Sequence, residues 1–97
     1  MTSKELESLI VMRAAALGIW WHHEADSRRS PRGWVDLSLL GNRGGLFIEC
    51  KNSADDRPTE AQIEVGIRMR KAGLPYRLWT PRHWYDGTIT KELEDIA

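Results

Sequence analysis

Along the first seventeen positions the apolar residues fall at helical spacing: Leu6, Leu9, Ile10 and Leu17 mark one stripe, shared with Arg13, and Gly18 follows as a left-handed stop. A helix over 3–17 is predicted. Residues 19–23 then form a short β-like run, and Gly33 precedes a stretch, 34–40, that alternates small polar with apolar side chains. Gly41-Asn42-Arg43-Gly44-Gly45 supplies the chemistry of a tight turn, so 34–40 and 46–51 should pair as a hairpin. Thr59 and Gln62 stand at capping-box spacing at the start of a second helix that runs to Ala72 and stops at Gly73. Pro75 leads into a third β-like piece, 76–80, ended by Pro81, and a short last helix covers 90–96. The order is α-β-β-β-α-β with a helical tail, an α/β arrangement of a small mixed sheet with flanking helices.

The hairpin has two faces that alternation separates. Val35, Leu37, Leu39, Leu46, Ile48 and Cys50 make an apolar face that belongs in the core, while Trp34, Asp36, Ser38, Phe47, Glu49 and Lys51 share the other. If the numbers of paired residues sum to an odd value near 85, Asp36 stands opposite Glu49 and the three charges converge. An even sum without a bulge would put Asp36 and Glu49 on opposite faces. Two converging carboxylates suit a hard cation such as Mg²⁺, which takes oxygen ligands and leaves the remaining positions to water and phosphate. An ammonium two residues along the strand would assist chemistry at that phosphate. The plain alternative is a solvated cross-strand ion cluster, which contributes little energy and binds no magnesium.

Composition narrows the partners. Fourteen basic and fourteen acidic residues cancel, so nucleic acid would be met by a local surface and not by bulk charge. Arg28, Arg29 and Arg32 provide one such cluster in the long irregular stretch 24–32, the candidate functional loop. No apolar run reaches membrane-spanning length, and the first ten residues lack a signal-peptide pattern, so a cytoplasmic protein with no membrane partner is expected. The single cysteine, Cys50, forms no internal disulfide and reads as a small buried hydrophobe. Burial in the core is the first expectation for most of the five tryptophans.

Three segments carry a resemblance: Gly33-Trp34-Val35-Asp36-Leu37, Phe47-Ile48-Glu49-Cys50-Lys51 and Thr59-Glu60-Ala61-Gln62. With His23 and the stretch 26–30 before them, and Ala72-Gly73, Trp79-Thr80-Pro81, His83-Trp84 and Gly87-Thr88-Ile89 after them, the sequence resembles the VRR-NUC family of the PD-(D/E)XK nuclease superfamily. The likeness is to its small stand-alone phage and bacterial members. It spans nearly the whole chain, so one domain over 1–97 is expected, with a restriction-endonuclease-like αβββαβ core. Val35 departs from the proline usual before the metal-binding aspartate; that proline mainly stiffens the strand, so valine should be tolerated.

The resemblance implies a Mg²⁺-dependent DNA endonuclease, with Mn²⁺ able to substitute, acting on branched or junction DNA in a bacterial or phage-infected host cytoplasm. By the same likeness Asp36 and Glu49 hold the metal beside the backbone carbonyl of Cys50, Lys51 is the catalytic lysine, and Gln62 approaches from the second helix. Gln62 shares a helical stripe with Val65, Gly66 and Met69, which agrees; its plainer role is the cap alone. Glu5, and after it Glu7, is the acidic residue of the first helix that relatives add to the metal, although both also complement the helix dipole. His23, and less so His22, would reach the scissile phosphate or a metal-bound water, and Ser27, Arg28, Arg29 and Arg32 the DNA backbone. A homodimer placing two sites on one branched substrate is expected. The rival reading is a DNA-binding or scaffold protein that keeps the fold without cleaving, against which stands the intact trio of Asp36, Glu49 and Lys51.

Overall fold

The structure is a computed structural model that describes residues 1–24 and 31–97. Among the described residues eight elements follow one another: α1 (Ser3–Ala16), β1 (Trp20–His23), β2 (Leu37–Leu40), β3 (Gly45–Cys50), α2 (Glu60–Lys71), β4 (Tyr76–Trp79), α3 (Pro81–Tyr85) and α4 (Thr88–Ile96). The four strands form one mixed sheet in the order β1-β2-β3-β4. The first two pairings are antiparallel and β3–β4 is parallel, so α2 serves as the crossover that a parallel pair requires.

Two helical layers cover the sheet. On one face Leu6, Ile10 and Ala14 of α1 and Ile89, Leu93 and Ile96 of α4 pack on Leu37, Leu39, Leu46, Ile48, Cys50 and Trp79. On the other, Met69 and Val65 of α2 pack with Val35, Phe47 and Tyr76. Gly66 lets α2 approach closely, since a Cβ there would stand 3.0 Å from the Tyr76 ring.

The hairpin register is the odd one: Leu37 faces Ile48 and Leu39 faces Leu46. Five of the six residues expected on the core face lie in the α1–α4 layer, and Val35 does not. The chain bends at Asp36, regular pairing begins only at Leu37, and Val35 turns into the α2 layer instead. Strict alternation applies only inside the ladder. The tryptophans also correct the expectation. Trp79 is buried and Trp84 partly so, but Trp34, outside the strands, is exposed, and so are Trp20 and Trp21, because β1 is an edge strand that no further strand covers among the described residues. After Pro81 the chain forms α3, with the proline in its first turn, where the missing N–H is not needed, and α4 starts at Thr88, two residues before the predicted position.

The hairpin turn is fastened to the end of α4. Arg43 N–H donates to the Ile96 carbonyl at 2.9 Å, and its guanidinium donates to the Glu94 carbonyl at 2.9 Å. A Cβ on Gly41 would lie 2.0 Å from the Ile96 carbonyl oxygen, so only glycine fits. The other end of the hairpin opens toward the N-terminal ends of α1 and α2 and carries the charged residues.

Candidate active site

Asp36 lies just before β2, where the ladder continues for one more bond as Glu24 N–H donates to the Asp36 carbonyl at 2.9 Å. Its carboxylate turns toward the neighbouring strand and accepts from Cys50 N–H at 2.8 Å. Asp36 is thereby fixed beside Glu49, which the odd register places on the α2 side of β3. Glu49 is almost wholly buried, at 2% exposure, an unusual position for a carboxyl group unless it is partnered. One partner is Gln62, whose Nε2 donates to Glu49 Oε1 at 2.9 Å. Its other neighbour is the Asp36 carboxyl, whose charge raises its proton affinity. Burial, and then the Asp36 charge, push Glu49 up to about 9, so the group holds a proton at neutral pH in the metal-free protein.

The orientation of Gln62 follows from the start of its helix. Thr59 caps α2, accepting from Gln62 N–H at 3.2 Å, and Gln62 Oε1 returns the bond by accepting from Thr59 N–H at 2.8 Å. With the oxygen committed to the cap, the amide nitrogen faces Glu49. The cap and the approach to the site are both present in one side chain.

The first helix supplies a third carboxylate, and it is Glu7 rather than Glu5. Glu5 completes a capping box with Thr2, accepting from Thr2 N–H at 3.0 Å at the exposed helix start. That bond holds its carboxyl below the usual range. Glu7 lies on the sheet side, where a carboxylate oxygen, an Asp36 oxygen and Cys50 Sγ fall within 4.8 Å of one another. Burial, then Asp36, raise the Glu7 carboxyl, opposed by His23, whose Nε2 lies 3.0 Å from Glu7 Oε2. The apolar spacing alone does not separate them: Glu7 stands three residues before Ile10 and Glu5 four before Leu9, both on the predicted stripe, and only the packing of α1 decides.

These groups line one open cleft of about 570 Å³, together with Ser3, Lys4, Glu24 and Lys51. Lys51 lowers the proton affinity of Glu49 from within that cleft. Sequence reasoning missed Lys4 and Glu24, because neither belongs to a recognisable pattern. Three crowded carboxyls, two of them raised by burial and then by the Asp36 charge, are what a divalent cation would relieve, so the donor set fits Mg²⁺ or Mn²⁺. The Cys50 thiol is not a natural member of that set. Burial drives its pKa far upward, and a hard cation prefers the oxygens around it. His22 turns to the opposite side of β1 and pairs with Glu24 at 3.6 Å. Arg32 is exposed on the approach to Asp36, and Ser27, Arg28 and Arg29 lie outside the described residues. Among the described residues no helix is long and apolar enough to cross a membrane.

No family model matches the sequence, and no curated protein does. A solved structure does match: a VRR_NUC domain protein with a TM-score of 0.66 and 20% sequence identity, covering 82% of this chain and 78% of that one. At that identity the likeness lies in the path of the backbone and not in side chains. The four-stranded mixed sheet, its crossover helix and the hairpin that carries Asp36 and Glu49 together have the VRR-NUC fold.

Proposed function

We propose that this chain is a metal-dependent DNA endonuclease that hydrolyses phosphodiester bonds in the cleft between α1, α2 and the open end of the hairpin. The observation that carries this reading is the convergence of Glu7, Asp36 and Glu49 on one cleft with Lys51, with Glu49 pushed up to about 9 in the absence of a cation. Groups strongly perturbed by burial and a specific charged neighbour in a cleft are more characteristic of reaction centres than of surface ion pairs.

Asp36, Glu49 and Glu7 would hold the cation with the Cys50 backbone carbonyl, and the bound ion would neutralise phosphate charge and activate water. The remaining roles fall to the chain. Lys51 places an ammonium beside the cleft, where it orients the attacking water and offsets charge developing on the phosphate. Gln62 fixes the Glu49 carboxyl. His23 steadies Glu7, a positioning role in place of the direct phosphate contact its sequence position suggested. Arg32, on the approach to Asp36, meets the DNA backbone.

The test is cleavage of linear, flapped and four-way-junction DNA with Mg²⁺ or Mn²⁺, beside Lys51→Ala. Loss of cutting in the variant with preserved metal binding is expected, with branched substrates cut faster than linear ones. Equal cutting by both proteins would remove Lys51 from the mechanism. Binding without cutting by either would favour the scaffold reading.

A further inference from the structure

The α2 layer covers only part of its face of the sheet. Its side chains pack on Phe47 of β3 and Tyr76 of β4, and among the described residues no side chain of β2 or β1 joins that cluster. The register identifies the residues left there: Ser38 pairs with Phe47, His22 with Ser38 and Trp20 with Leu40. Trp20 is 57% and Leu40 51% exposed. The Trp20 and His22 rings stand parallel to within 14°, with centroids 6.5 Å apart. That is the wide end of the range for ring pairs. It is close to two residue rises along a strand, about 3.3 Å each, so the two rings stand side by side as neighbours on one face.

The row leads into the cleft. Trp20, His22 and Glu24 follow at two-residue intervals on one side of the chain, His22 contacts Glu24 at 3.6 Å, and Glu24 lines the cleft. Trp20 is roughly 13 Å along the strand from Glu24, within reach of the same nucleic-acid strand that enters the site.

We propose that Trp20 and His22 form a stacking platform for an unpaired nucleobase of the strand held in the cleft. The proposal rests on the nuclease reading and gives it a substrate feature. Inside a duplex both faces of a base are covered by its neighbours, so an aromatic row selects bases at flaps, gaps or branch points, and tolerates any sequence because every base has a π-face.

The experiment measures fluorescence anisotropy of a labelled twelve-residue oligothymidylate and of a blunt duplex, with Ca²⁺ replacing Mg²⁺ to hold off cleavage. Wild type, Trp20→Ala, Trp20→Phe and His22→Ala are compared, with sedimentation of each. Trp20→Ala is expected to weaken oligothymidylate binding roughly tenfold, His22→Ala by less, and Trp20→Phe to keep most of it. The loss should be larger for the oligothymidylate than for the duplex. Equal oligothymidylate affinity in wild type and Trp20→Ala overturns the platform. A dimer that Trp20→Ala converts to monomer, with oligothymidylate affinity unchanged, also overturns it and assigns the face to a second copy. Trp20-dependent binding by a protein that cuts nothing in Mg²⁺ or Mn²⁺ supports the platform while the hydrolase reading fails. Cutting without Trp20 dependence does the reverse.

Discussion

The two ends of the β2–β3 hairpin are built from the same alternation and serve opposite ends. At the turn, the acceptors are backbone carbonyls: Arg43 is fastened to those of Ile96 and Glu94, and Gly41 leaves no room for a side chain. At the open end, carboxyls crowd one another, and burial together with that crowding raises the proton affinity of Glu49 and Glu7. The turn is complete in itself, while the open end is satisfied by something added, a proton in the metal-free protein or a cation in its place. Regions of the second kind concentrate function, since unrelieved electrostatic repulsion is retained where a ligand relieves it.

Substitutions at the two ends should therefore separate stability from activity. Ile48→Ala, in the shared core between them, is expected to cost about 2–5 kcal/mol of stability by cavity formation, read from denaturant midpoints. Asp36→Asn should leave the melting temperature unchanged or higher, because it removes a repelling charge, yet lower cleavage at least about 100-fold. A large loss of stability in Asp36→Asn would erase the contrast. Gly41→Ala reverses the pattern: overpacking against Ile96 should cost about 1–3 kcal/mol while the residual folded protein keeps its metal affinity, measured by calorimetry.

The pH dependence sharpens the same contrast. The Glu49 carboxyl is raised in the folded protein, so its contribution to stability is fully present below the ordinary carboxylate pKa. That contribution is lost as pH rises through about 9. Metal-free protein should thus lose melting temperature from pH 5 toward pH 9, and Glu49→Gln should flatten the slope. Saturating Mg²⁺ should restore stability at the alkaline end by mass action. The smallest effect belongs to Glu5→Gln, which keeps the exposed capping box and leaves stability and metal affinity nearly unchanged, whereas Glu7→Gln weakens metal binding. Equal metal affinities for the two variants would return the first-helix ligand to an open question.

Much of this arrangement was legible before any coordinates. The turn glycines and the apolar alternation lead to the hairpin, though its odd register needed the structure, and the spacing of Thr59 and Gln62 leads to the cap that starts α2. What was not legible depended on which element packs where. Glu5 and Glu7 differ only in which side of α1 meets the sheet. Val35 leaves the alternation because the strand begins later than its sequence pattern does. The exposure of Trp20 and Trp21 follows from β1 lying at the sheet edge, a matter of strand order that no local pattern encodes.

Gln62 joins two processes that are usually separate. Its amide oxygen closes the first turn of α2 and its amide nitrogen holds Glu49, so fraying of that turn and release of the site carboxyl are one opening event. Hydrogen exchange at the Gln62 and Ile63 amides should then report on the site itself, slowing when a cation binds several ångströms away. Gln62→Glu would keep the oxygen for the cap and bring a second carboxyl against Glu49. The site would then open more often while the rest of the fold stayed shut.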